Sequence, residues 1–147
     1  MSALSETLGE ILLYQENGKT VEVELEDLTS IKVFCIYFAA SYCGPSKNFT
    51  PVLQDFYQVI NKDEKQLEII YVGCDTTERE HMAYFGPMPW TYIPHGDARI
   101  QQLKGRYDVK GIPALIALRP TGELITKDGR TQILTKDYWA WDDWLKS

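Results

Sequence analysis

This chain has no apolar run long enough to cross a bilayer, no excess of basic residues, two histidines and three cysteines. Each scarcity removes a class of function. A spanning helix needs about twenty apolar residues in succession, and the longest run, from Val33 to Ala40, falls far short of that. Lys and Arg number 15 against 21 Asp and Glu, a formal charge of −6. A phosphate backbone is gripped through a basic surface, so nucleic acid is not an expected partner. His81 and His95 stand at no metal-ligand spacing to each other or to a cysteine. They read as polar loop or helix-face residues, and no metal site is expected. Cys35, Cys43 and Cys74 are too few and too irregular for a disulfide framework, which points to a reducing compartment, the cytoplasm. Met1-Ser2-Ala3-Leu4-Ser5-Glu6 lacks a basic n-region and a long apolar core, and Ser2 excludes N-myristoylation. Asn48-Phe49-Thr50 matches a glycosylation sequon, but it falls inside an expected helix of a chain not expected to be secreted and carries no weight.

No repeat, low-complexity tract or linker divides the chain, and its 147 residues suit one domain, 1–147. Ile11 to Tyr14 and Lys19 to Val23 read as two strands around Glu16-Asn17-Gly18, a hairpin signal. Val33 to Ala39 is continuously apolar, the pattern of a central buried strand. Phe49, Val52, Leu53, Phe56 and Ile60 then recur at helical spacing and predict an amphipathic helix from about Gly44 to Asn61. Leu67 to Val72 reads as the next strand, which makes the crossover parallel and right-handed. Further helices are expected over Thr77 to Phe85, Ala98 to Tyr107 and Lys136 to Leu145. Strands are expected at Ala114 to Leu118 and Glu123 to Thr126, about a Pro120-Thr121-Gly122 turn. The fold class is α/β, a central mixed sheet flanked by helices, with an N-terminal β-hairpin.

Cys43-Gly44-Pro45-Ser46 sits where the apolar strand gives way to the helix. Unpaired N–H groups and the positive end of the helix dipole converge there. That setting favours a thiolate and makes Cys43 a candidate nucleophile. Cys-x-x-Cys at such a turn is a thiol–disulfide redox motif. Here the fourth residue is Ser46, and a hydroxyl does not resolve a mixed disulfide at neutral pH. Ser46 is either an engineered replacement, fitted by the Gly44-Pro45 pair, or the natural residue of a monothiol protein, fitted by Tyr42 and Lys47. Cys35 reads as core, and Cys74 as strand-end packing rather than a substitute resolver.

The segment from Phe38 to Pro51 resembles the active-site segment of the thioredoxin superfamily, in its tryparedoxin and nucleoredoxin branch. Phe49-Thr50-Pro51 and Met88-Pro89-Trp90 are branch-like elements, and Gly111-Ile112-Pro113 is similar to the superfamily's cis-proline loop. The likeness runs from about residue 8 to the C-terminus. The branch usually has Trp-Cys-Pro-Pro-Cys-Arg. Here Tyr42 replaces Trp, Gly44 replaces Pro, Ser46 replaces the second Cys and Lys47 replaces Arg. Tyr37 stands where ordinary thioredoxins bury an acid.

The resemblance implies a thioredoxin fold and a thiol–disulfide oxidoreductase with Cys43 as nucleophile and Ser46 at the resolving position. Tyr42, Gly44, Pro45, Trp90, Ile112 and Pro113 would form the substrate-binding surface. It implies protein disulfide substrates, a low-molecular-weight thiol or a reductase as electron donor, no metal or organic cofactor, and action as a monomer off the membrane. Two other readings stay open. One is a redox-linked binding protein without turnover. The other is a glutathione-dependent monothiol protein, which needs a carboxylate- and glycine-recognising pocket that no motif here identifies. Trp139, Trp141 and Trp144 are expected to pack the last helix.

Overall fold

Residues 33–39 are buried without exception, and the architecture is arranged about them. The computed structural model describes residues 2–147; Met1, and with it the first position of the expected domain and leader reading, lies outside the described residues. Along the chain come α1 (Ala3–Leu8), β1 (Ile11–Glu16), β2 (Lys19–Glu24), a short 3₁₀ turn (Leu25–Asp27), β3 (Val33–Ala39), α2 (Gly44–Ile60) and β4 (Leu67–Gly73). Then follow α3 (Glu78–Phe85), β5 (Thr91–Tyr92), α4 (Ala98–Arg106), β6 (Ala114–Leu118), β7 (Leu124–Thr126), α5 (Gly129–Lys136) and α6 (Trp139–Lys146). The described strands form one mixed sheet in the order β2-β1-β5-β4-β3-β6-β7. β3 pairs parallel with β4 and antiparallel with β6, so it is central, and both its faces are covered.

Strand alternation sorts the β3 side chains into two cores. Val33, Cys35, Tyr37 and Ala39 face α2, α3, α5 and α6, meeting Phe49, Leu53, Phe85 and Trp144 among others. Phe34, Ile36 and Phe38 face α1 and α4, meeting Leu8, Ile100 and Leu103. The result is three layers, helices on both sides of a sheet. Removing a wholly buried leucine such as Leu53 costs about 2–5 kcal/mol in cores of this kind.

The N-terminal hairpin closes on Asn17 and Gly18, at φ of 53° and 77°. That is the positive-φ pair a two-residue turn demands, and Asn-Gly supplies it at least strain. α3 and α4 begin on side-chain caps from Thr77 and Asp97. The expected single helix over Lys136 to Leu145 is instead two helices. The chain enters positive φ at Asp137, 53°, its N–H closing back on Ile133 O at 2.9 Å, and that ends α5 before α6 starts. Trp141 and Trp144 pack inward as expected, whereas Trp139 is 73% exposed. α1 and the two-residue β5 have no counterpart in the sequence reading, because neither is long enough to display a period.

Candidate functional site

Cys43 is the N-cap of α2, directly beyond the buried end of β3, and its side chain makes no capping bond. The sulfur is half-buried and lies 3.6 Å from the carbonyl oxygen of Ile112, toward which its S–H points. Pro45 has no N–H, so the amides of Gly44 and Ser46 are the uncommitted donors of the first turn. The bond between Ile112 and Pro113 is cis. Pro113 is buried, Ile112 half-buried and Gly111 exposed. Gly44 and Pro45 are exposed beside the thiol, and Tyr42 stands out at 63%. The sulfur, the Ile112 carbonyl and the Tyr42 ring thus share one rim, although residues 43 and 112 are far apart in sequence.

Ser46, one turn into α2, is fully buried, and its Oγ has no hydrogen-bond partner. Around it lies a set of hydroxyls that the sequence did not disclose. Tyr37 Oη is 2.7 Å from Thr50 Oγ1 and donates weakly to the Ser46 carbonyl at 3.4 Å. Thr50 Oγ1 in turn donates to that carbonyl at 2.9 Å and lies 2.8 Å from Tyr84 Oη. Burial raises both Tyr37 and Tyr84 above the usual phenol range. Tyr37 is therefore a neutral hydrogen-bonding group under the active turn and does not act as a buried acid. Pro51 inside α2 removes one backbone donor just after Thr50, and Thr50 already binds a carbonyl of the turn before.

A second brace holds the loop ahead of Cys43. Asp75, buried just past β4, accepts the Ser41 N–H at 2.6 Å and the Tyr71 hydroxyl at 2.8 Å. Its backbone carbonyl lies 3.1 Å from His95 Nε2. A polar residue at the carboxyl end of a buried strand is the one sequence signal that would have marked Asp75. Its partners come from other elements and leave no local pattern.

Two expected residues are placed differently, Trp90 and His81, whereas Cys35 and Cys74 pack as expected. Trp90, expected on the partner surface, is 1% exposed. The proline-flanked loop turns it inward, edge-on to Tyr57 at 5.4 Å and to Tyr37 at 6.2 Å. His81, expected on a helix face or loop, is fully buried with both ring nitrogens unpartnered. It fills the space beside Gly73, where a Cβ would stand 2.4 Å from its ring. Burial holds its pKa below the ordinary 6.5. Cys35 is sealed in the core, and burial drives its thiol far up. Cys74 is half-buried and packs with the α4-side core, and none of the three cysteines is disulfide-bonded. Among the described residues no group of three or more His, Cys, Asp or Glu is arranged to hold a metal ion.

A half-exposed thiol at a helix start, with the Ile112 carbonyl beside it and a serine at position 46, is equipped to attack a disulfide once. Comparison with known proteins identifies the family to which this chain is similar. A model of the thioredoxin-like family matches residues 31–124. Mouse nucleoredoxin is 36% identical over 126 residues, which are 85% of this chain and 28% of that protein. The chain therefore spans little more than a quarter of the nucleoredoxin it matches. Tryparedoxin of Trypanosoma brucei brucei is 34% identical over 119 residues, covering 80% of this chain and 81% of that one. A solved tryparedoxin from Trypanosoma brucei superposes with a TM-score of 0.86 at 32% identity, over 98% of this chain and 99% of that one. Tryparedoxin II, solved in complex with glutathionylspermidine, superposes at 0.82 and 30% identity, over 96% of each chain.

Proposed function

The chain belongs to the thioredoxin-like oxidoreductase family, in the branch of the nucleoredoxins and tryparedoxins and with their thioredoxin fold, and from that premise we propose that it performs thiol–disulfide exchange with a single working sulfur, Cys43. The Cys43 thiolate attacks one sulfur of a substrate disulfide. A bond forms between the two sulfurs, the substrate's own S–S bond breaks, and the second substrate sulfur leaves as a thiolate that takes a proton from water. Ser46 offers no sulfur to continue. An external thiolate then attacks the substrate sulfur of the mixed disulfide, frees the Cys43 thiolate and carries away the substrate half as a new disulfide, which a second external thiolate cleaves to the oxidised external disulfide and the substrate's second thiolate. The substrate disulfide is reduced by two electrons, and external thiol is oxidised by two.

Binding follows from the same rim. The exposed Tyr42 ring supplies an apolar contact, and the backbone at Ile112 and Pro113 offers an edge to an extended segment carrying the disulfide. Gly44, without a side chain, and Pro45 leave the approach to sulfur open. The partners are protein disulfides and a low-molecular-weight thiol or reductase. The structure of tryparedoxin II with glutathionylspermidine supports the second class. On this reading residues 1–147 act as one domain and as a monomer in the reducing cytoplasm, with no resident metal or organic cofactor.

The observation that carries the proposal is the Cys43 sulfur at the start of α2, 3.6 Å from the Ile112 carbonyl. Ser46 favours a second reading, a redox-linked binding protein that captures a partner and does not turn over. Insulin reduction separates the two. Turnover that depends on added glutathione, and is abolished in Cys43→Ala, supports the oxidoreductase. A stable adduct at Cys43 that glutathione does not release supports the binding protein. No adduct at Cys43 in any condition refutes both.

A further inference from the structure

Beside the approach to Cys43 lies a cavity of about 260 Å³ between the end of β4 and the first turns of α4. Tyr42 forms its wall toward the thiol, and Cys74, His95, Gln101 and Lys104 line much of the rest. Two carboxylates border it, and both are already engaged. Asp75 holds the Ser41 N–H and the Tyr71 hydroxyl. Asp97 takes Arg99 Nε and Nη2, each at 3.0 Å. Lys104 has no carboxylate within ion-pair distance among the described residues. Its ammonium is free of an ion pair, as is the hydrogen-bonded Asp75 carboxylate among the described residues, and its field reaches the Cys74 thiol, opposing the upward push of burial and of Asp75.

We propose that this cavity is the subsite for the carboxylate of a small peptide-like thiol or its disulfide, held by Lys104 while its sulfur reaches Cys43 past Tyr42. The inference rests on Cys43 being the nucleophile, and it names the class of external thiol which that reading requires. A chain of charge −6 repels anions at long range, so a carboxylate-bearing thiol needs a local cation to dock. The volume falls just below the usual range of small-ligand sites, room for a terminal carboxylate and the residue that bears it and not for a whole tripeptide. The Gln101 amide adds donors at the mouth. The Tyr42 hydroxyl, now making only a long 3.4 Å bond to the Cys74 carbonyl, adds another. The sequence reading lacked this site because its parts come from four separate segments.

The test is the rate of adduct formation at Cys43, followed by mass spectrometry with peptide mapping. The probes are glutathione disulfide, its tetraethyl ester and neutral hydroxyethyl disulfide. The wild-type protein should react about fivefold faster with the acid than with the ester, the size of one well-placed charge pair. Added salt should narrow the gap. Lys104→Gln should erase the preference and leave the hydroxyethyl disulfide rate unchanged, and Lys104→Glu should reverse it. Equal rates with acid and ester in the wild type overturn the proposal. So does a Lys104→Gln rate lowered alike for all three probes, which is the mark of a structural lysine. Failure of hydroxyethyl disulfide to modify wild-type Cys43 instead overturns the nucleophile itself, so the two failures are distinguishable.

Discussion

Replacing Ser46 with alanine should make this protein more stable and less reactive. The side chain is 0% exposed, and its Oγ meets no partner. Leaving a buried hydroxyl unpaired costs about 1–3 kcal/mol. Alanine removes that cost and gains about 0.5 kcal/mol of helix propensity over serine. The missing oxygen leaves a void on the order of one atom, a few tenths of a kcal/mol at about 24 cal/mol per Å³. The balance is a gain of about 1–2 kcal/mol, or about 2–8 °C in Tm for a chain of this size. Urea unfolding under reducing conditions, read by tryptophan fluorescence, measures it. The function should move the other way. Ser46 lies one turn on from Cys43, with a hydroxyl free to donate to the sulfur once it ionises. Loss of a bond to a charged group should slow iodoacetamide alkylation of Cys43 at neutral pH about tenfold. A stability loss beyond about 1 kcal/mol would mean that the hydroxyl is satisfied in the fold, and an unchanged alkylation rate would mean that it does not serve the sulfur. Either result refutes the reasoning.

Three further outcomes are expected. His81 is held below 6.5 by burial, with Asp75 and Glu78 opposing that shift and His95 reinforcing it. The unfolded chain therefore takes the proton first, and stability should be intact above pH 6.5 and fall below it, with a slope approaching about 1.4 kcal/mol per pH unit from this group. Glu68, raised above its usual 4.5 by burial, acts in the opposite sense, since its protonation favours the fold. The measurement is therefore the difference between wild type and His81→Phe across the acid limb, and parallel curves would contradict the assignment. Asp75→Ala should cost about 1–3 kcal/mol, because the half-buried Ser41 N–H loses its acceptor and the buried Tyr71 hydroxyl keeps only the Ala39 carbonyl at 3.3 Å. It should slow Cys43 adduct formation with peptide disulfides more than alkylation by small reagents, and equal slowing of both would deny the loop a positioning role. Trp90→Ala should cost about 3–5 kcal/mol as a core deletion, and Trp90→Phe should leave the peptide-disulfide rate unchanged. A rate loss in Trp90→Phe without a stability loss would restore Trp90 to the contact surface.

The parts of the fold that announce themselves locally were legible in sequence. Val33 to Ala39 is apolar at every position because both faces of β3 are covered, and the Asn17-Gly18 turn needs the positive φ those residues tolerate. Cys43 stood out because a strand pattern changes to a helix pattern at that residue. What sequence did not disclose is tertiary. Tyr37 on β3, Thr50 on α2 and Tyr84 on α3 meet only when three elements pack, and Asp75 reaches Ser41 across 34 positions. His81 looked polar, yet it shares a helix face with Phe85, four positions on, and the glycine at 73 leaves it room. Trp90 looked exposed because prolines surround it, but the loop they stiffen turns inward. Asp137 splits the last helix through a backbone conformation that no periodicity reports.

The central claim is that Cys43 attacks a disulfide and that this chain cannot finish the exchange alone. Intact-mass analysis after mixing the wild-type protein and Ser46→Cys with a stoichiometric peptide disulfide tests it directly. The wild-type protein should carry one peptide adduct, mapped to Cys43, that persists until glutathione is added. Ser46→Cys should lose the adduct unaided, as the introduced thiol closes a disulfide with Cys43 and the peptide thiol leaves. Release of the peptide by wild type without any added thiol, or an adduct mapped to Cys74 in place of Cys43, would contradict the account.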